Sequence, residues 1–185
     1  MKKENIWNVP NILTLSRVFL TFVVIYMIIS EFNIISIVSV FALAALTDGL
    51  DGIIARKFNL ITEFGRKFDI FADRLLMIGV WVTFLIYVLI SKETSKLFLS
   101  QFFLIIMREI ISLPFALFVF MGRKKMVEVR LIGKVTTLLQ GITFPMIMIS
   151  LTYPFFKISI YFSILTAIIG TISGIIYLND WNKLL

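Results

Sequence analysis

Cysteine and histidine are both missing from the 185 residues. Their absence excludes disulfides, thiol nucleophiles, zinc sites built on Cys or His, and a histidine general base. Any chemistry must rest on carboxylates, hydroxyls, lysines and arginines. Charge is also scarce: Asp, Glu, Lys and Arg make up 16% of the chain, against 59% hydrophobic residues. A water-soluble domain carries about 25% charged and 45–50% apolar residues, so this surplus calls for another solvent. Acidic residues are the rarer sign, 11 against 18 basic, for a net charge of +7. In a soluble protein that imbalance would point to nucleic acid. Here the basic residues sit between apolar runs, which points to membrane topology and anionic lipid.

The apolar runs predict an all-α, polytopic membrane protein with about six transmembrane helices, near 12–30, 34–56, 69–91, 97–121, 134–152 and 155–178. The first run, Ile12 to Ser30, reads as a span rather than a secretory signal: it is too long, contains Arg17 and lacks a small-residue cleavage site. Met1 to Pro10, with Lys2, Lys3 and Trp7, fits an interfacial segment. The chain reads as one transmembrane domain over 1–185, without repeats or low-complexity tracts. Six helices place twelve loop and terminal Lys and Arg residues on one side and three on the other. The positive-inside rule puts both termini, the Arg56–Lys67 loop and the Arg123–Lys134 loop in the cytoplasm, at the cell membrane. Gly170 and Gly174 form a small-xxx-small pair suited to close helix packing.

Four aspartates carry the chemical information. Asp48 and Asp51 are three apart near the end of helix two, and Asp69 and Asp73 are four apart in the predicted first turn of helix three. Each spacing puts its two carboxylates on one helix face, and the short connection predicts antiparallel neighbours whose pairs face each other. Asp48 lies eight residues before Arg56, or about 12 Å along a helix axis, so the site lies in the membrane near its cytoplasmic edge. One mid-membrane aspartate costs roughly 2.5–3.5 kcal/mol even on a lenient insertion scale. Four together need protons or cations to compensate them. All-oxygen donors favour Mg²⁺, Mn²⁺ or Ca²⁺, and two ions could share the four groups and clamp a diphosphate.

Neighbouring residues fit such a ligand. Gly49, Gly52 and Ala55 leave helix two open to close approach, Arg56 can pair with phosphate, Thr62 offers a hydroxyl and Gly65 a permissive backbone. Packing notches and topology anchors are the alternatives for these glycines and for Arg56. On helix one, Asn11 and Thr14 share a face that could reach a nucleotide, with helix capping the alternative for Asn11. Arg17, two turns in, needs an anionic partner or a path to the interface.

The pattern Asp48-x-x-Asp51-Gly52-x-x-Ala55-Arg56, eight residues, Gly65-x-x-x-Asp69-x-x-x-Asp73 resembles the complete signature of the CDP-alcohol phosphotransferases. The resemblance implies a homodimer of about six helices per chain acting on CDP-diacylglycerol and a polar alcohol, with no nucleic acid partner. It implies Mg²⁺ (or Mn²⁺), two ions per site, held by Asp48, Asp51, Asp69 and Asp73. Asp73 would also be the base that deprotonates the acceptor. Gly52, Arg56, Thr62 and Gly65 match positions near the CDP group.

Three segments bear on the acceptor. Asn8-Val-Pro10-Asn11-Ile-Leu-Thr14-Leu-Ser-Arg17 is similar to the start of phosphatidylglycerophosphate synthases. Arg108-Glu109 resembles their arginine–acid pair, and Gly133-Lys134-Val-Thr-Thr-Leu-Leu-Gln140 their Gly-Lys-x-Lys-Thr motif. Thr136 replaces the second lysine of that motif, and Ala116 an arginine often found two turns after the helix-four arginine. Ile70 and Arg74 replace a proline and a lysine next to the second aspartate pair. Arg108, Arg130 and Lys134 are then the cations left to hold an acceptor phosphate. The resemblance implies transfer to sn-glycerol 3-phosphate with release of CMP; phosphatidylglycerol, as in cardiolipin synthesis, and inositol phosphate are alternatives. A cation transporter is the reading from another class. Against it, the acids lie on one side of two helices, with none near the middle of helices five and six and no symmetric broken half-helices.

Overall fold

The computed structural model describes residues 8–58, 60–91, 96, 98–106, 110, 131–153 and 157–182, and every regular element among them is an α-helix. Helices α1 (Val9–Ile29), α2 (Ile34–Lys57) and α3 (Glu63–Ile90) are followed by α4, described over 98–106, then α5 (Leu131–Thr152) and α6 (Ile158–Asn182). Helices α1, α2, α3, α5 and α6 each contain a stretch long and apolar enough to cross a bilayer. Large apolar side chains such as Phe19, Phe22, Tyr26, Leu46 and Ile86 are exposed along them, as lipid contact requires. This is a multi-pass membrane protein. The rest of the predicted fourth span, 107–109 and 111–121, lies outside the described residues.

The chain divides into two compact units, Met1–Glu93 and Thr94–Leu185. In the first, α1 starts at Asn8, whose side chain accepts a hydrogen bond from Asn11 N at 2.9 Å. Pro10 follows in the first turn, where a missing N–H costs no helical bond. The Asn8 amide also donates to the Leu60 carbonyl at 3.2 Å, tying the start of α1 to the α2–α3 connection. Asn8→Ala should therefore lower stability by about 1 kcal/mol or slightly more, read as a fall in Tm in detergent. At its other end α1 closes in a Schellman motif. Glu31 takes a left-handed φ of 56°, Phe32 N–H reaches the Met27 carbonyl and Glu31 N–H reaches that of Ile28.

Helix α3 begins six residues earlier than its apolar pattern predicts. The Thr62 hydroxyl accepts from Gly65 N at 2.9 Å, and Glu63 meets the positive end of the helix dipole. Asp69 is consequently in the second turn and Asp73 one turn further along, not in the first turn. The expected direct packing of α2 on α3 is also corrected. Helix α1 packs along both, while α2 and α3 scarcely touch. The core of this unit includes Val24, Ile28, Phe41, Ala44, Val80, Trp81 and Phe84, all almost fully buried.

In the second unit, α5 and α6 pack together. Thr136, Gln140 and Thr143 are buried on one face of α5. Ser159, Ser163, Thr166, Gly170 and Gly174 are buried on one face of α6. The Thr143 and Thr166 hydroxyls share a hydrogen bond at 2.8 Å. Small and polar residues at this spacing let membrane helices approach closely. Helix α4 meets α5 through the Phe102 and Phe144 rings, 6.5 Å apart.

Candidate active site

Arg17 stands two turns into α1 and is wholly buried. Its Nη1 lies 2.9 Å from Asp48 Oδ1 and 2.8 Å from Asp69 Oδ1, and its Nη2 is bonded to Asp51 Oδ2. One turn earlier, the Thr14 hydroxyl lies 3.1 Å from both Asp51 Oδ2 and the Pro10 carbonyl. Because α1 lies against both other helices, its polar face gathers carboxylates that α2 and α3 could not bring together by themselves. Asp51 is buried, whereas the Asp48 and Asp69 side chains are 46% and 45% exposed. The cluster thus has a closed side and an open side.

One guanidinium faces three carboxylates, which leaves two negative charges uncompensated when all are ionised. Asp48, Asp51 and Asp69 each offer an oxygen, all within 4.8 Å of one another. Oxygens on a single Mg²⁺ lie up to about 4.2 Å apart, twice a ~2.1 Å bond. The cluster is only slightly wider than that, so small side-chain movements would close it. The oxygen-only donors and the excess negative charge fit a hard divalent cation.

Beside the cluster is a cavity of about 220 Å³. Its walls include Asn11, Thr14, Gly52, Arg56, Thr62 and Gly65, together with Asp51 and Asp69. Every residue that the sequence associates with the CDP-lipid thus lines one space. Arg66 lines it too; the sequence pattern does not single it out, although it is a second cation directly after Gly65. A Cβ on Gly65 would collide with Asn11 Oδ1 and lie 2.8 Å from Thr62 Oγ1. Among the described residues, on Gly52 it would meet only Arg56 Nη2, at 3.7 Å, and on Gly49 nothing within 4 Å. None of the described residues fills the space before Gly52.

Other expectations fare differently. Asn8, not Asn11, caps α1, which leaves Asn11 as a cavity residue. Asp73 is half-buried on α3 and is not among the three gathered carboxylates. Lys134 is exposed on α5 in the second unit. Thr136, in place of the expected lysine, is buried and donates to the Ile132 carbonyl at 2.6 Å. Arg108, Ala116 and Arg130 lie outside the described residues. The largest omission is Arg17, to which the sequence assigns no partner. The available signal is depth: it is a cation buried in a span of a chain whose acids are intramembrane too.

Comparison with known proteins bears on the same residues. The CDP-alcohol phosphatidyltransferase family model matches residues 7–172. A CDP-diacylglycerol–glycerol-3-phosphate 3-phosphatidyltransferase from Aquifex aeolicus is 33% identical over 174 residues, covering 94% of this chain and 92% of its own. One of the same name from Rickettsia felis is 36% identical over 140 residues, 72% of this chain and 70% of its own. The human cardiolipin synthase (CMP-forming) is 39% identical over 100 residues, 53% of this chain and 33% of its own. The family match runs through both units, and the Aquifex relative aligns along nearly its whole length. As the aspartate signature implied, the chain belongs to the CDP-alcohol phosphatidyltransferase family, membrane transferases of phospholipid biosynthesis.

Proposed function

We propose that the protein transfers the phosphatidyl group of CDP-diacylglycerol to sn-glycerol 3-phosphate, giving phosphatidylglycerophosphate and CMP. The observation that carries this reading is the cavity whose wall joins cation-fitting carboxylates to Arg56 and Arg66. Asp48, Asp51, Asp69 and Asp73 would hold Mg²⁺ or Mn²⁺, two ions per site. A metal bound there would supply positive charge to the diphosphate and to the departing CMP. Arg56 and Arg66 bind phosphate oxygens, Asn11, Thr14 and Thr62 offer polar contacts to the nucleotide, and Gly52 and Gly65 keep its space open. Asp73 accepts the proton of the acceptor hydroxyl. That oxygen bonds to the lipid-side phosphorus as the phosphorus–oxygen bond to CMP breaks.

Arg108, Arg130 and Lys134 hold the acceptor phosphate. The names of the Aquifex and Rickettsia relatives support glycerol 3-phosphate. A second reading, phosphatidylglycerol as acceptor, draws on the human cardiolipin synthase match and on Ala116 and Thr136 standing where cations are expected. The Lys and Arg asymmetry supports a cytoplasmic site and termini at the cell membrane. We take residues 1–185 as one catalytic domain, a reading supported by the family match across both units, and the working form as a homodimer.

The test is CMP release by purified protein with Mg²⁺ and CDP-diacylglycerol, offering glycerol 3-phosphate, phosphatidylglycerol or inositol phosphate. Release with glycerol 3-phosphate alone is expected. Release only with phosphatidylglycerol would establish the second reading, and release with none of the three would remove the proposal.

A further inference from the structure

We infer that Arg17 is the resident countercation of the metal-free site and competes with divalent metal for the same carboxylates. The inference rests on the metal-holding role proposed above and deepens it. Arg17 is wholly buried, and a buried guanidinium in a membrane span calls for a partner for its charge. Its terminal nitrogens reach one oxygen from each of Asp48, Asp51 and Asp69. These are the same three residues whose oxygens lie within 4.8 Å of one another.

Two further observations separate a countercation from a permanent pin. The Arg17 Nε–H is buried and has no hydrogen-bond partner among the described residues. A guanidinium built into a fixed network would have all its donors satisfied; this one supplies charge more than fit. Second, α2 and α3 scarcely pack on each other and each packs on α1 instead, so their carboxylates meet across the α1 face that carries Arg17. A divalent ion on those oxygens would lie within a few ångströms of the guanidinium and repel it. Metal and Arg17 therefore exclude each other, wholly or in part, and each weakens the other's hold on the cluster.

The experiment compares wild type, Arg17→Met and Arg17→Lys in detergent, with Mn²⁺ as the probe. Binding is read from the electron paramagnetic resonance signal of free Mn²⁺, and stability from Tm in EDTA and in saturating Mn²⁺. Arg17→Met should have a lower Tm than wild type in EDTA, where three carboxylates face each other uncompensated. Saturating Mn²⁺ should close most of that gap, and Mn²⁺ should bind about tenfold tighter or more, within the usual range of coupling between competing ligands. Arg17→Lys, a charge with a shorter reach, should fall between them. It carries the test by itself, as about threefold tighter binding, where Arg17→Met does not fold.

Unchanged or weaker Mn²⁺ binding in the folded variant, with wild type binding normally, would overturn the inference while the metal site stands. A wild type that binds no Mn²⁺, or an Asp51→Asn variant that binds it equally well, would overturn the metal reading and this inference with it.

Discussion

Asp73→Asn is expected to slow CMP release by about a thousandfold or more while leaving the protein folded. A positioned general base contributes roughly 10²–10⁴ in rate, and asparagine keeps the shape of the side chain without its basicity. Asp73 is half-buried, one turn after Asp69 on α3, outside the trio gathered around Arg17. Asp51 is a worse choice for judging chemistry. It is buried, accepts from Thr14 and is paired with a wholly buried arginine. Removing one member of a buried pair costs about 3–5 kcal/mol, so a loss of rate there would mix folding with catalysis. Steady-state CMP release with Tm and Mn²⁺ binding on the same preparation separates the two. A thousandfold loss with near-normal Tm and measurable Mn²⁺ binding assigns the proton to Asp73. Rates within tenfold of wild type would move the base elsewhere and leave Asp73 a ligand at most.

The contrast between Asp73 and Arg17 marks where the amino-acid pattern stops being legible. The aspartates, Gly52, Arg56, Thr62 and Gly65 are tied by local spacing, and a helix turns local spacing into a shared face. Asn11 and Thr14 are readable for the same reason. The role of Arg17 is not, because its partners are 31 to 52 residues away along the chain, and no local pattern encodes which helices touch. A short connection suggests that α2 and α3 are neighbours, yet α1 lies against both. The start of α3 escapes the pattern for another reason. From Glu63 to Lys67 the helix is mostly polar, so the apolar pattern begins only after the Thr62 cap has already started the turn. In the second unit, the segment from Gly133 to Gln140 reads as an acceptor motif in which Thr136 replaces a lysine. In the fold Thr136 and Gln140 lie on the buried face of α5. Spacing alone does not distinguish a binding face from a packing face.

Alanine at Gly49, Gly52 and Gly65 should give three distinct outcomes, because each glycine faces a different neighbourhood. Among the described residues, Gly49 has nothing within 4 Å of an added Cβ. Gly49→Ala should keep the rate near wild type and, on helix propensity, gain up to about 1 kcal/mol of stability. Gly52 meets only Arg56 Nη2 at 3.7 Å, an ordinary contact, yet it lines the cavity. Gly52→Ala should fold as wild type and lose tenfold or more in kcat/KM for CDP-diacylglycerol, about 1.4 kcal/mol, because the methyl takes space in the cavity proposed for the nucleotide. Gly65 is the severe case. Its added Cβ would collide with Asn11 Oδ1 and press on the Thr62 hydroxyl at 2.8 Å, the group that caps α3 through Gly65 N itself. What gives way is two side-chain ends rather than backbone, so the fold should survive. Losing the cap costs about 1 kcal/mol of stability, and both displaced groups line the cavity. Gly65→Ala should therefore lower Tm modestly and kcat/KM by about a hundredfold. The measurements are Tm and CMP release against CDP-diacylglycerol concentration for all three variants. If Gly52→Ala and Gly65→Ala both bound and turned over the CDP-lipid as Gly49→Ala does, this cavity would not be where the nucleotide sits.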